Sequence, residues 1–231
     1  MKHALVLSCE HGGNRVPARY RSAFRGSGPA LRSHRGWDPG ALQLARQLAR
    51  GFDAPLLACT TTRLLVDPNR SLGHPSLCSE WARHLPAEER VRIVARWWRP
   101  HREAVERAVR ERLGEGRVLH LSVHSFTPRW KGRARTVDVG LLYDPSRAAE
   151  SSFVDAWLGA LGERRRDLRL RRNRPYRGDS DGLTTSLRGR LGAREYLGIE
   201  LETSQRFCLG SPAAWRSLRR DLVESLREIL A

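Results

Sequence analysis

The sequence predicts a three-layer α/β/α domain built on a mostly parallel, mixed central sheet. Short apolar runs that stop abruptly at polar clusters read as buried strands, and stretches with apolar residues at helical spacing separate them. A length of 231 residues fits one such core better than two, so residues 1–231 are read as a single domain.

Taken in order, the apolar run 5–8 stops at Glu10-His11-Gly12-Gly13 and reads as a strand that delivers polar residues at its C-terminal end. Residues 39–50 carry Ala41, Leu44, Ala45 and Leu48 at helical spacing. Residues 55–66 read as one strand or two short ones, ending in the turn-rich Asp67-Pro68-Asn69-Arg70-Ser71. Residues 88–113 form the longest helical stretch, which Pro100 should kink or divide. Strands follow at 118–123 and 137–143, a helix at 148–161 and a further strand around 168–170. Residues 173–182 are a loop by composition, 197–201 a last strand, and 212–230 a closing helix.

Apolar residues make up 40% of the chain, enough for a core. No apolar run approaches the roughly 18 residues that a membrane-spanning helix requires, and no signal peptide is visible, so a soluble cytoplasmic protein is expected. Cys9, Cys59, Cys78 and Cys208 are scattered, without a CxxC pair, and are expected to be free thiols. The net charge of +17 raises the question of a nucleic-acid partner. The excess is almost all arginine, with Lys2 and Lys131 the only lysines, and it is dispersed through helical stretches instead of forming a block. A solvated surface is therefore the preferred reading, and its positive field would also favour an acidic substrate.

Ligands of open α/β sheets bind outside the carboxyl ends of the strands. His11, Asn69-Arg70, His124 and Glu200 all lie at or just after expected strand ends, so they could converge on one edge of the sheet. Imidazole is the commonest zinc ligand, and a catalytic zinc usually takes three protein ligands; Asp38, Glu10 or Glu202 could complete a set begun by His11 and His124. A carboxylate such as Glu200, at the end of an apolar strand, loses hydration and is suited to general-base work. The Arg70 guanidinium can grip a substrate carboxylate while the Asn69 amide fixes its orientation. Arg129, Arg133 and Arg135 follow closely on His124-Ser125 and could line an anionic pocket. Tyr176 and Asp181 sit in a loop that could cover it, and a phenol there could donate to a developing oxyanion. His101 falls inside a helix and reads as a packing or capping residue.

The segments CEHGGNRVP, WDPGA, RLLVDPNRS, VHSFTP, VDVGLLYDP, NRPYRGDSDGLTT and YLGIELE, in this order, resemble the N-formylglutamate amidohydrolase family along nearly the whole chain. That family is similar in fold to the zinc carboxypeptidases and aspartoacylases, a phosphorylase/hydrolase-like architecture. The resemblance implies a metal-dependent amidohydrolase acting on N-formyl-L-glutamate or a related N-acyl amino acid, with one divalent ion, zinc. Carried over by position, it implies His11 and His124 as metal ligands, Glu200 as general base, and Asn69 and Arg70 as binders of the substrate carboxylate. Ser125, Arg135 and Tyr176 are expected as further substrate contacts from their place in the chain, beside His124 and in the covering loop. The carboxypeptidase pattern places a glutamate ligand three residues after its first histidine, where this chain has Asn14. Asn is a poor zinc ligand, so Asp38 is the first choice for the third ligand and Glu10 the second.

Overall fold

Side-chain alternation along three long strands decides how the protein is layered. The structure, a computed structural model, describes residues 3–231. Its strands are β1 (His3–Cys9), β2 (Leu56–Ala58), β3 (Arg117–Phe126), β4 (Arg129–Trp130), β5 (Arg133–Ala134), β6 (Val139–Leu142), β7 (Leu170–Arg172) and β8 (Tyr196–Ser204). Six of them form one sheet in the order β2-β1-β3-β8-β6-β7, while β4 and β5 make a separate hairpin. The first four in that order run parallel, β6 is antiparallel to β8, and β7 is parallel to β6. The mixed, mostly parallel sheet is therefore the expected one.

Successive side chains of a strand point to opposite faces. The odd-numbered residues of the three central strands, among them Leu7, Leu121 and Ile199, pack in one apolar layer with the helices Ala41–Phe52, Ala148–Arg164 and Pro212–Leu230. The even-numbered residues face the helices Arg99–Arg112 and Leu183–Arg188, and they are apolar only near the strand starts, where Ala4, Val6, Val118 and Tyr196 meet Val105, Val109 and Leu187. Towards the strand ends the same face carries Ser8, His120, Ser122, His124, Glu200 and Glu202, all buried. One side of the sheet thus holds the fold together along its length, and the other changes from core to chemistry partway along. A third apolar cluster, including Tyr20, Phe24, Leu65 and Ile93, ties the long connections above the strand ends to one another.

Several expected elements are adjusted. Of residues 55–66 only Leu56–Ala58 form a strand; beyond it Thr61 keeps a single bridge to Arg15, because the chain leaves the sheet to bring Arg63 and Asp67 over its end. Residues 88–113 are divided as Pro100 requires: Ala87–Ile93 is helical, Val94–Trp98 is one wide π turn, and Pro100 sits in the first turn of Arg99–Arg112, where its missing N–H costs little. The strand expected at 168–170 is shifted to Leu170–Arg172. The four cysteines are free, and none of the described helices is long and apolar enough to cross a membrane.

Leu121 is completely buried between sheet and helices. Leu121→Ala is expected to cost about 2–5 kcal/mol in urea unfolding, whereas Val91→Ala on the exposed face of Ala87–Ile93 should stay within about 0.5 kcal/mol of the parent protein.

Candidate metal centre and substrate pocket

The turn after β1 carries Glu10 and His11, and the backbone N–H of Asp38 donates to the His11 carbonyl at 2.9 Å, clamping the segment before helix Ala41–Phe52 against that turn. Across the sheet, β3 pairs with β8 so that Ser122 faces Glu200 and His124 faces Glu202. These contacts bring His11, Asp38 and His124 together, with one ligand atom from each lying within 4.8 Å of the others. The two imidazole rings are 4.9 Å apart.

The far side of each ring explains how the near side is presented. His11 Nε2 lies 2.7 Å from Asp67 Oδ1, and His124 Nε2 lies 3.1 Å from Glu10 Oε2. With a cation bound between the rings, both Nε2 atoms would carry the hydrogen towards these carboxylates and the Nδ1 lone pairs would face the ion. Those Nδ1 atoms stand 3.3 Å (His11) and 2.9 Å (His124) from the same oxygen, Asp38 Oδ2. Two imidazole lone pairs and a carboxylate oxygen aimed at one point form a donor set suited to a divalent cation such as zinc. Asp38, expected as the third ligand, lies beside both imidazoles. Glu10 lies on the opposite side of the His124 ring, and Asn14 donates to the Leu31 carbonyl at 3.0 Å instead of joining the cluster.

The supporting residues are themselves held. Arg63 donates to Asp67 Oδ2 through Nε at 3.0 Å and Nη2 at 2.6 Å, and the Asn69 N–H donates to Asp67 Oδ1 at 2.9 Å. Burial alone would raise the Asp67 carboxyl, but Arg63 and His11 hold it well below the usual carboxylate range. Asp38 is likewise held low against burial, by the two histidines. His124 moves the other way: burial works to lower it, and Asp38 and Glu10 raise it. Neither Asp67 nor Arg63 stands out in the sequence, since Asp-Pro-Asn reads as an ordinary turn.

Facing the cluster, the Glu200 Oε1 accepts from Thr184 Oγ1 at 2.8 Å. Helix Leu183–Arg188 is fixed there by the buried pair of Arg188 Nε and Glu150 Oε1 at 2.9 Å, while Glu150 Oε1 also takes the Gly198 N–H of β8 at 3.0 Å. Gly182 precedes that helix, and a Cβ on it would come within 3.1 Å of Glu200 Oε1 and 3.3 Å of Asn69 Oδ1, so any larger residue here would press on both side chains. Glu202 is buried with Oε2 unpartnered, and burial pushes its carboxyl up to about 8.

His11, Asp38, Asp67, His124, Glu200 and Glu202 open on a cavity of about 530 Å³. Asn69, Arg70, Ser125 and Tyr176 line it, as expected for substrate contacts, but with particular duties. Asn69 Oδ1 accepts from the Leu183 N–H at 2.7 Å, and Arg70 Nη1 donates to the Asp181 carbonyl at 2.6 Å, its Nε buried and unpartnered. The Ser125 hydroxyl donates to the Pro39 carbonyl at 2.7 Å, which fixes the loop that carries Asp38. Arg135 is not among the lining side chains: it stacks behind them on Tyr176 (4.9 Å), Trp130 and Phe126 (5.5 Å each), and donates to the Tyr176 hydroxyl at 3.0 Å. Arg129 and Arg133 belong to the exposed hairpin and lie outside the lining as well.

A carboxyl whose folded pKa is depressed contributes stability that is present above its unfolded value, about 4, and is lost as the pH falls toward the folded value. Asp67→Asn should therefore lower the melting temperature of chelator-treated protein at pH 7, and the gap to the parent should narrow steadily between pH 4 and pH 2. A gap that does not change over this range would show that the Asp67 charge contributes nothing.

No curated protein matches the chain. Gene product Atu2144 from Agrobacterium tumefaciens has a solved structure similar to this one, with a TM-score of 0.83 and 31% identity over 99% of this chain and 91% of that one. More distant are an N-acetylmuramoyl-L-alanine amidase of Nostoc punctiforme (TM-score 0.42, 11% identity, 98% of this chain and 97% of that one) and a bacteriophage poly-gamma-glutamate hydrolase (0.44, 11%, 98% and 84%). The family model for N-formylglutamate amidohydrolase matches residues 3–209, and the chain belongs to that family of hydrolases.

Proposed function

We propose that the protein hydrolyses the amide bond of a small N-acyl amino acid with an acidic side chain, with N-formyl-L-glutamate as the substrate that the family name suggests. The observation that carries this reading is the convergence of His11 Nδ1, His124 Nδ1 and Asp38 Oδ2 on one point of a cavity that Glu200 also faces. His11, Asp38 and His124 would hold one zinc ion, which when bound supplies Lewis acidity to the scissile carbonyl and to the attacking water.

The remaining work falls to the chain's own groups. Asn69 and Arg70 receive the substrate carboxylate, the guanidinium exchanging its present bond to the Asp181 carbonyl for a stronger charged one. Thr184 occupies one oxygen of Glu200, leaving Oε2 to take the proton of the attacking water and return it to the leaving nitrogen. The Tyr176 hydroxyl accepts from Arg135, so its own hydrogen is free to be donated to the oxygen on which negative charge develops. Ser125 and Arg135 act through the residues they hold, the Asp38 loop and the Tyr176 ring. The net charge of +17 favours an anionic small molecule throughout.

A cavity of about 530 Å³ lies within the range that accommodates drug-sized ligands, which favours acyl groups longer than formyl as additional substrates.

Elemental mass spectrometry of the purified protein is expected to give about one zinc per chain, lost in His11→Ala and His124→Ala. Glu200→Gln should keep the metal and lower kcat by roughly 10²–10⁴-fold. No metal after incubation with zinc, or undiminished turnover in Glu200→Gln, would overturn the reading. Arg70→Ala should raise KM by about 10–100-fold with a smaller change in kcat, because a charged hydrogen bond is worth about 1.5–3 kcal/mol. Running the same assay on N-formyl-, N-acetyl- and N-succinyl-L-glutamate ranks the acyl groups.

A further inference from the structure

Beneath the metal-facing histidines lies a buried contact that the proposed reaction does not use. Helix Arg99–Arg112 carries His101 in its first turn, and His101 Nε2 stands 3.6 Å from Glu10 Oε1. Both side chains are enclosed, Glu10 with no exposure and His101 with 8%, and neither of these two atoms has a hydrogen-bond partner. The other oxygen of the same carboxylate is fully engaged: Glu10 Oε2 accepts from the Ser122 hydroxyl at 2.6 Å, and Glu10 Oε2 (3.1 Å) and Ser122 Oγ (2.8 Å) together face His124 Nε2. Neither Glu10 nor His101 lines the cavity, so they cannot meet substrate.

A carboxylate buried without compensation is expensive, and one with a single oxygen satisfied is free to swing about the bond that holds it. The separation of 3.6 Å is just outside direct hydrogen-bond length, and with its hydrogen on Nε2 the His101 ring presents a donor to the one carboxylate oxygen that lacks a partner. That donor draws Oε1 towards the helix and leaves Oε2 aimed at His124. Arg102, next in the chain, donates from the same turn to the Pro68 carbonyl at 2.9 Å, so the turn that carries His101 is anchored to the segment bearing Asp67 and Asn69.

We propose that His101 is a positioning residue, which through Glu10 fixes the orientation of the His124 ring and thereby raises the affinity of the His11–Asp38–His124 site for zinc. This rests on the metal-dependent reading above, and it assigns a task in that site to a residue of a helix that contributes no ligand. The carboxylate partners of ligating histidines typically govern metal affinity by 10–100-fold, and His101 would act one step further out.

The test is zinc affinity by competition with a chromophoric chelator, which needs no turnover. His101→Leu removes the Nε2 atom and should weaken binding by about tenfold. In His101→Gln the side-chain amide nitrogen reaches about as far as Nε2 and should restore most of the affinity, while the shorter amide of His101→Asn should not. Melting temperatures of the chelator-treated variants serve as the control for packing. If His101→Leu fails to fold, the Gln and Asn variants decide the matter alone. Equal affinity in the parent and His101→Leu, or equal affinity in the Gln and Asn variants, overturns the proposal. A parent protein that binds no zinc overturns this inference and the function together. Weakened zinc binding in His101→Leu, alongside a parent that binds zinc but releases no formate, upholds the inference and overturns only the proposed reaction.

Discussion

Two imidazoles and one carboxylate are gathered where sheet and loops meet, buried and with one ligand atom of each within 4.8 Å of the others. Bringing such groups together out of water costs their hydration, which other polar groups must replace. The protein answers with a second ring of groups, Asp67 behind His11 and Glu10 behind His124, so that the orientation of each ring is settled from its far side. Much of the surrounding architecture serves that ring: Arg63 and the Asn69 backbone hold Asp67, Ser122 holds Glu10, and the hydrophobic cluster around Leu65 and Ile93 holds the connections from which Arg63 and Asp67 project.

The sheet makes this affordable by dividing labour between its faces. The odd-numbered residues in the middle of β1, β3 and β8, from Leu5 to Cys9, Leu119 to Val123 and Leu197 to Leu201, are all apolar, so the even-numbered face can surrender half its length to buried polar groups without the fold losing its core. The polar half is nearly dry, and its groups satisfy one another: Ser8 with His120, His120 with the Tyr196 hydroxyl, Ser122 with Glu10. Dense mutual bonding of this kind keeps a site rigid before any ligand arrives.

The strands and the strand-end residues were legible because hydrophobic periodicity and motif both point to them: His11, His124 and Glu200 close apolar runs, and Asp38 precedes a strongly amphipathic helix. What stayed hidden depends on contacts between residues far apart in the chain. Asp67 reads as a turn former until the fold sets it against His11, 56 residues earlier, and Thr184 falls in a stretch to which the sequence assigns no element, yet it meets Glu200. Position alone also misplaced Arg135, because nothing in local sequence tells a side chain that lines a cavity from one that supports the lining. The extent of 55–66 was overread for a similar reason: the residues are apolar enough for a strand, but the site needs the chain to leave the sheet there.

The β4–β5 hairpin is joined to itself at its base, where the Arg135 N–H donates to the Pro128 carbonyl at 2.9 Å, and its exposed tip turns through Lys131 and Gly132, both at positive φ. The excursion leaves the sheet after β3 and is pinned shut before β6 begins, so the length of its tip is mechanically uncoupled from the strands that carry His124 and Glu202. Exposed tips of this kind tolerate insertion and deletion well. Because Trp130 of this hairpin forms part of the cavity wall, the protein has a place where the wall can be rebuilt by changes in loop length alone, while the His11–Asp38–His124 cluster remains untouched.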